Sequence, residues 1–314
     1  MFRGLFLVIL GICFAVGAGI TVLGLLAPFA PSFEITNHFR PFTVAGFLVL
    51  LVAVWLFRAR SLMLPVLGFA VVNVALFLLP LSFKASEASS SLAGSRTIKL
   101  ISFNMWVGDR PLDDIAGFLR AEDADVVLLQ EFHAGHAKRL LPGLKDLYPH
   151  QLSCAQDRSC LMALLSKTPW TEAAFVKHST ANPALIWARF GTGPRAYRIA
   201  TLHNAWPFQS DAQALHTDWL IDWRRSVTEQ LLIAGDFNLT PFSWKLSKFA
   251  WKTGLRRYAT YQRTWPGHRY APAFLIDNIF STDAFRPIEV RTGPALRSDH
   301  LPLIARIAYR APGG

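Results

Sequence analysis

The chain has 314 residues, 52% of them hydrophobic, with a mean hydropathy of +0.29, a net charge of +11 and a pI near 10.0. So apolar a composition excludes an ordinary soluble enzyme. The positive charge gives the protein a general affinity for polyanions.

The apolar excess lies at the front. Leu5–Leu26 is an unbroken apolar run, Phe42–Phe57 a second and Leu62–Leu79 a third. The first and third reach the roughly 20 helical residues that a hydrocarbon core of about 30 Å requires. The second qualifies only if residues 39–41 or Arg58 extend it. A cleaved signal peptide is the alternative for the first run. Two further spans behind it, and no clear small-residue cleavage site, favour an uncleaved anchor. Cys13, inside that run, reads as a small apolar residue. Arg3 precedes the first span and Arg58 and Arg60 sit in the second connection, whereas the first connection carries Glu34, His38 and Arg40. The positive-inside rule then places the N-terminus in the cytoplasm and everything after Leu79 outside, the periplasm in a Gram-negative bacterium. The expectation is a multi-pass membrane domain over residues 1–83 in a bacterial cytoplasmic membrane, with the remainder extracytoplasmic.

Residues 84–96 have linker composition. From Thr97 to about residue 310 the pattern becomes short apolar strands between polar loops. Strands are predicted at Ile98–Phe103, Val126–Gln130, Cys160–Leu165, Leu185–Phe190, Ala196–Leu202, Leu231–Ala234, Asp277–Phe280 and Ile304–Tyr309. Helices are predicted at Leu112–Ala121, Gln213–Trp223 and around Pro241–Lys252. Together these imply one α/β domain with packed sheets over 97–310. Cys154 and Cys160 flank a segment that reads as a hairpin loop. An oxidising compartment would join them, and two free thiols are the alternative. A structural zinc site is rejected for want of ligand spacing. Gly191-Thr192-Gly193 lacks a third glycine and a following helix, so it reads as a hairpin turn, not a nucleotide loop.

Several strands end in an acid, amide or histidine: Asn104, Glu131, His203, then Asp236 and Asn238 in Gly235-Asp236-Phe237-Asn238. Asp277 lies inside an apolar strand, and Ser298-Asp299-His300 precedes the last one. Residues two apart on a strand point the same way. Asp236 and Asn238 therefore set a proton acceptor beside an amide donor, a pairing suited to activating water against phosphorus. A buried structural hydrogen bond is the bland reading of any one of them.

The series Phe103-Asn104-Met105-Trp106, Leu129-Gln130-Glu131, Leu202-His203, Gly235-Asp236-Phe237-Asn238, Asp277-Asn278-Ile279-Phe280 and Ser298-Asp299-His300 resembles the endonuclease/exonuclease/phosphatase (deoxyribonuclease-I-like) superfamily. The resemblance implies a four-layer α/β/β/α sandwich behind three transmembrane helices, with the site at one end of the two sheets. It implies Glu131 as a ligand of Mg²⁺ or Mn²⁺ with Asn104 helping to hold it, a donor set that suits a hard cation. Asp236 would orient or deprotonate the attacking water, and Asn238 would donate to a phosphate oxygen. His300 would stabilise the phosphorane or assist the leaving group, with Asp299 positioning neighbours or touching metal. His203 would contact the phosphate from the other side, and Asp277 would orient a catalytic partner. Asn278 stands where the family often has His or Tyr. Leu202 to Pro207 looks more like the membrane-anchored bacterial members than the nucleases.

The soluble part carries basic residues Lys138, Arg139, Lys145, Arg224, Arg225, Lys245, Lys248, Lys252, Arg256, Arg257, Arg263 and Arg269, with Trp244, Trp251 and Trp265 interleaved among the later ones. They suit single-stranded nucleic acid or a membrane surface equally. A solvated basic face over core tryptophans is the third possibility. Topology favours a phosphodiesterase or phosphatase acting on lipid or lipid-linked phosphate at the membrane face. A periplasmic or cytoplasmic-face nuclease on DNA or RNA is the alternative, and a catalytically idle phosphate-recognition module is another. No acidic residue interrupts the apolar runs, which argues against a transporter.

Overall fold

The computed structural model of the protein describes residues 2–82, 95–106, 108, 112–258, 262–267 and 273–311. The first apolar run forms α1 (Phe2–Leu26), followed by a 3-10 turn (Pro31–Phe33) and the short α2 (Glu34–His38). The second and third runs form α3 (Arg40–Leu56) and α4 (Arg60–Ser82). Helices α1 and α4 contain stretches long and apolar enough to cross a membrane; Pro31–His38 with Arg40–Leu56, bent by 61°, makes a third if that pair is one span. Leu10, Phe47, Leu50, Val54, Val66 and Ala70 bury a seam between the helices. Val8, Ile12, Val49, Leu64 and Val71 face outward. A continuous apolar exterior of this kind suits lipid rather than water.

The remaining elements are β1 (Arg96–Asn104), α5 (Leu112–Glu122), β2 (Val126–Gln130), α6 (Ala134–Gly143), β3 (His150–Ser153), β4 (Ala163–Ser166), β5 (Glu172–Val176) and β6 (Ala184–Phe190). After them come β7 (Tyr197–His203), α7 (Ser210–Ser226), β8 (Gln230–Asp236), α8 (Trp244–Thr253), β9 (Arg256–Arg257), β10 (Asp277–Ser281), β11 (Phe285–Thr292) and β12 (Leu303–Tyr309). Two six-stranded sheets result, in the orders β11-β12-β1-β2-β4-β3 and β5-β6-β7-β8-β10-β9. Strand alternation sets the layers. Leu100, Leu128, Ile186, Ile199, Leu232 and Ile307 fill the space between the sheets. Ile101, Leu129 and their neighbours turn outward to meet Ile115, Leu119 and Leu140 of α5 and α6. On the other sheet Leu202, Ile233 and Phe280 meet Leu220, Leu246 and Phe249 of α7 and α8. The four-layer α/β/β/α sandwich is the architecture expected.

Several boundaries shift. The strand expected at Cys160–Leu165 begins only at Ala163, because Cys154 and Cys160 are joined in a disulfide and Leu161 has φ 50°, which no strand accommodates. Arg96, assigned to the linker, already pairs with Tyr309 in β1, and 84–94 lies outside the described residues. Gly191 and Gly193, at φ 73° and 58°, do turn the chain between β6 and β7, in the left-handed region that glycine enters freely. Helix α6 and strands β3, β5, β9 and β11 had no sequence expectation.

The expected basic surface is present only in part: Lys138, Arg139, Lys145, Lys252 and Arg263 are exposed. Lys245 and Arg257 are buried, Lys248 pairs with Asp218, Arg225 with Asp222, and Arg256 with Asp283. Arg269 lies outside the described residues.

Gly235 is where β7 and β8 come closest: a Cβ there would overlap the Leu202 carbonyl oxygen and lie 2.9 Å from Leu202 N. Gly235→Ala is expected to destabilise the fold by about 2–4 kcal/mol, since neither backbone can yield. A thermal melt of the variant beside the parent protein checks this; an unchanged midpoint would contradict the packing.

Candidate active site

The site forms where central strands of both sheets end together. Asn104 pairs in register with Gln130 at the ends of β1 and β2. Across the other sheet, Asp236 is flanked in register by His203 of β7 and by Asp277 of β10. Registered neighbours share a face, so three strands aim these side chains together. Trp106, Glu131 and Asn238 have φ 54°, 52° and 51° just beyond β1, β2 and β8. For Trp and Glu this is an uncommon conformation, held only where the surroundings impose it. It turns the chain sharply, with Glu131 and Asn238 among the side chains of the site.

Asn104 bridges the sheets, its Nδ2 donating to Glu131 Oε1 at 3.0 Å and to Asp236 Oδ2 at 3.0 Å. Its own Oδ1 accepts from Trp106 N at 2.9 Å. Asn104 thus presents amide hydrogens to the carboxylates and holds Glu131; it does not offer its oxygen toward them, as a direct metal ligand would. Asp236 Oδ1 accepts from Asn238 N at 2.8 Å, which fixes the carboxylate plane. The Asn238 side chain donates to Asn204 O at 3.0 Å, so one of its two amide hydrogens is already engaged.

His300 Nδ1 lies 2.8 Å from Asp277 Oδ2, and His300 Nε2 lies 3.7 Å from Asp236 Oδ2. His203 Nε2 is 3.7 Å from both Glu131 Oε1 and Asp236 Oδ2, too long for a hydrogen bond but close enough for charge to be felt. Burial is the main influence on Asp236, raising its carboxyl to about 6; His300 and His203 pull it down, Asp277 pushes it up. Burial alone would lower the His300 imidazole, but Asp277 and Asp236 overcome it and hold the ring up at about 10. Ser298 Oγ donates to Asn104 O at 2.7 Å and accepts from His300 N at 3.1 Å, tying the Ser-Asp-His turn to β1. Asp299 stands at the edge, its Oδ2 accepting from Trp265 Nε1 at 3.3 Å, while its Oδ1 is buried without a hydrogen-bond partner.

Gln130, Asn204 and Asn278 brace the site, a role that the sequence pattern did not assign to them. Gln130 Nε2 donates to Thr201 Oγ1 at 2.7 Å, crossing from one sheet to the other behind the carboxylates. Asn204 N donates to Asp236 O at 2.9 Å, and Asn204 Oδ1 lies 2.8 Å from His216 Nδ1. Asn278 Nδ2, where the family often has a ring, donates to Leu239 O at 2.9 Å and so braces the loop after Asp236. Only the position of Asn204 beside His203 could have marked it.

Asp236, Asp277 and His300 bring potential ligand atoms within 4.8 Å of one another and could hold a metal ion. His300 Nδ1 is already engaged with Asp277, which leaves its Nε2 to face a cation. Glu131 and Asp299, the carboxylates that the resemblance implies as ligands, are further candidates, and Asp299 Oδ1 is buried without a hydrogen-bond partner. A cluster of carboxylates with one orphaned buried oxygen fits a hard divalent cation.

The family model described as Endonuclease/Exonuclease/phosphatase family matches residues 101–300. No curated protein matches the chain. Among solved structures, the endonuclease/exonuclease/phosphatase from Bacteroides vulgatus is 18% identical with a TM-score of 0.59, covering 68% of this chain and 100% of that one. The corresponding protein of Beutenbergia cavernae is 20% identical with a TM-score of 0.54, covering 70% and 73%. D. rerio TDP2 complexed with single strand DNA product is 15% identical with a TM-score of 0.57, covering 67% and 98%. At these identities the likeness is one of fold.

Proposed function

The chain belongs to the endonuclease/exonuclease/phosphatase family, whose members are metal-dependent phosphoester hydrolases, and from that we propose that it works at the outer face of the bacterial cytoplasmic membrane on lipid or lipid-linked phosphate. One observation carries the membrane part. Thr240, two residues beyond Asn238, and Trp244 bond to His38 and Glu34 in the short connection between the first two apolar helices. A site so close to the ends of apolar helices reaches headgroup phosphates without leaving the bilayer. The intact His300–Asp277 pair speaks against an idle recognition module, which would need no such pair.

In the chemistry we propose, Asp236 is the water-directing base: its buried carboxylate is fixed by Asn104 and the Asn238 amide. His300, charged and held by Asp277, donates from Nε2 to a phosphoryl oxygen and offsets the negative charge that develops there. His203 approaches from the other side, and the second amide hydrogen of Asn238 is available to the phosphate. Glu131 and Asp299 would hold a divalent cation, with Asn104 keeping Glu131 in place; Mg²⁺ or Mn²⁺ would supply charge neutralisation and polarisation of the phosphoryl group.

The test is hydrolysis by the full chain in detergent, with Mg²⁺ or Mn²⁺. The panel holds a polyprenyl pyrophosphate, a phosphoinositide, sphingomyelin, single-stranded DNA and plasmid DNA. Release of phosphate or headgroup from the lipids alone is expected; cleavage of nucleic acid alone would transfer the protein to the tethered nucleases. EDTA is expected to reduce turnover to background and added Mg²⁺ or Mn²⁺ to restore it. Turnover that survives exhaustive chelation would remove the cation from the chemistry.

A further inference from the structure

The connection between α1 and α3 lies against the loop that leaves the catalytic strand β8. His38 is buried, with Nδ1 3.1 Å from Thr240 Oγ1 and accepting from Thr240 N at 3.3 Å. A ring nitrogen that accepts a backbone N–H carries no proton, so this imidazole is neutral with its hydrogen on Nε2. Glu34, fully buried, accepts from Trp244 N at 2.8 Å at the start of α8, beside the Ser243 cap. Phe39 and Phe42 pack on Phe274, and Phe77 of α4 stacks on Phe242.

The connection is itself clamped to the helices. Asn37 Nδ2 donates to Gly24 O at 3.1 Å, and Arg40 donates to Asn37 Oδ1 at 2.5 Å and to Asn73 Oδ1 at 2.9 Å. Asn73 also bonds Thr21. Gly24 leaves room for this: a Cβ there would overlap Asn37 Oδ1 and lie 2.8 Å from Arg40 Nη2. A chain of side-chain hydrogen bonds and short backbone steps therefore runs from α4 and α1, through α2, to the loop that follows Asp236 and carries Asn238.

Within that loop the catalytic domain satisfies its own groups up to Leu239. Asn238 N bonds Asp236, Asn238 O accepts from Gln213, and Leu239 O accepts from Asn278. At Thr240 and Trp244 the backbone N–H groups instead find partners in the connection, 202 and 210 residues away. A buried N–H deprived of its partner rearranges the backbone to find another.

We propose that His38 and Glu34 are positioning residues of the active site, fixing through Thr240 and Trp244 the loop that follows Asp236 and carries Asn238, so that turnover depends on the membrane-proximal connection as well as on the sandwich. This rests on the phosphoester-hydrolase reading of that site. The full chain in detergent, with Mn²⁺ and bis(p-nitrophenyl) phosphate as the probe, tests both separately. If the parent protein shows no turnover, or Asp236→Asn leaves it unchanged, the assignment of the site falls. With that control passed, His38→Leu is expected to lower kcat by about 10–100-fold, the scale of a misplacement near 1 Å, with KM within about twofold. His38→Asn sets an acceptor near the position of Nδ1 and is expected to restore most of kcat. Hydrogen exchange over residues 236–246 should quicken in His38→Leu and Glu34→Leu but not in His38→Asn. Parent-level kcat in His38→Leu overturns the proposal. So does equal loss in both His38 variants accompanied by exchange throughout the sandwich, the mark of a fold defect.

Discussion

Replacing Asp236 by Asn is expected to lower kcat by about 10²–10⁴-fold, the usual worth of a positioned acid or base. The substitution keeps the shape of a fully buried group, so the hydrogen bond from Asn238 N to Oδ1 persists. Oδ2 is what changes. It accepts from Asn104 Nδ2 at 3.0 Å and faces His300 Nε2 at 3.7 Å. An amide there either turns a second NH₂ toward Asn104 or gives up the Asn238 bond, and in both cases the acceptor for a water proton is gone. Steady-state kinetics with Mn²⁺, beside a melt to establish that the fold is kept, checks the expectation. Turnover within a few-fold of the parent would mean that another group takes the proton.

Asp277→Asn should cost a comparable factor, about 10²–10⁴-fold, and change the pH dependence with it. Asp277 supplies both the hydrogen bond and the nearest negative charge that keep the buried His300 charged. Without it, burial is opposed only by Asp236 and Asp299, and the imidazole falls from about 10. The folded value of His300 lies above its ordinary value, so its contribution to stability is complete below about pH 6.5 and is lost as the pH rises through about 10. The metal-free parent protein should therefore lose stability on the alkaline side of neutrality, and Asp277→Asn should lose less across the same interval. Melts across pH, with NMR titration of the His300 ring, decide the point. A ring that titrates alike in both proteins would show that Asp277 does not hold the charge.

The parts of the fold legible in the sequence were those in which burial follows a local period. Val126–Gln130 is fully buried and apolar until its last residue, so the strand and its exit toward Glu131 were plain. Helix α5 and the apolar helices were legible for the same reason. Strand β5 was not: none of its residues is buried, and it lies at a sheet edge where one side is unpaired. Helix α6 is only ten residues long and contains Pro142, and its start is fixed by His133, which accepts from Gly135 N.

The candidate site divides in the same way. Asn104, Glu131, His203, Asp236, Asn238, Asp277, Asp299 and His300 stood out because each interrupts or terminates an apolar segment, and the fold brings their strand ends together at one end of the two sheets. Their bonding did not. That Asn104 faces two carboxylates with its nitrogen, or that Asn204 and His216 brace the loop, depends on side chains meeting across sheets. Lys245 and Arg257 read as surface charge and are buried, since nothing in a run of residues tells whether a lysine's neighbours in space are water or a Ser210 carbonyl 2.9 Å away.

The apolar helices, the alternation that makes two sheets, and the acids and amides that end the central strands can be read along the chain, because each is a pattern among residues close in sequence. That Glu34 and His38, isolated polar residues between apolar helices, bond the loop that follows Asp236 emerges only on folding. Those contacts span 210 and 202 residues, and no local period records a hydrogen bond between groups so far apart.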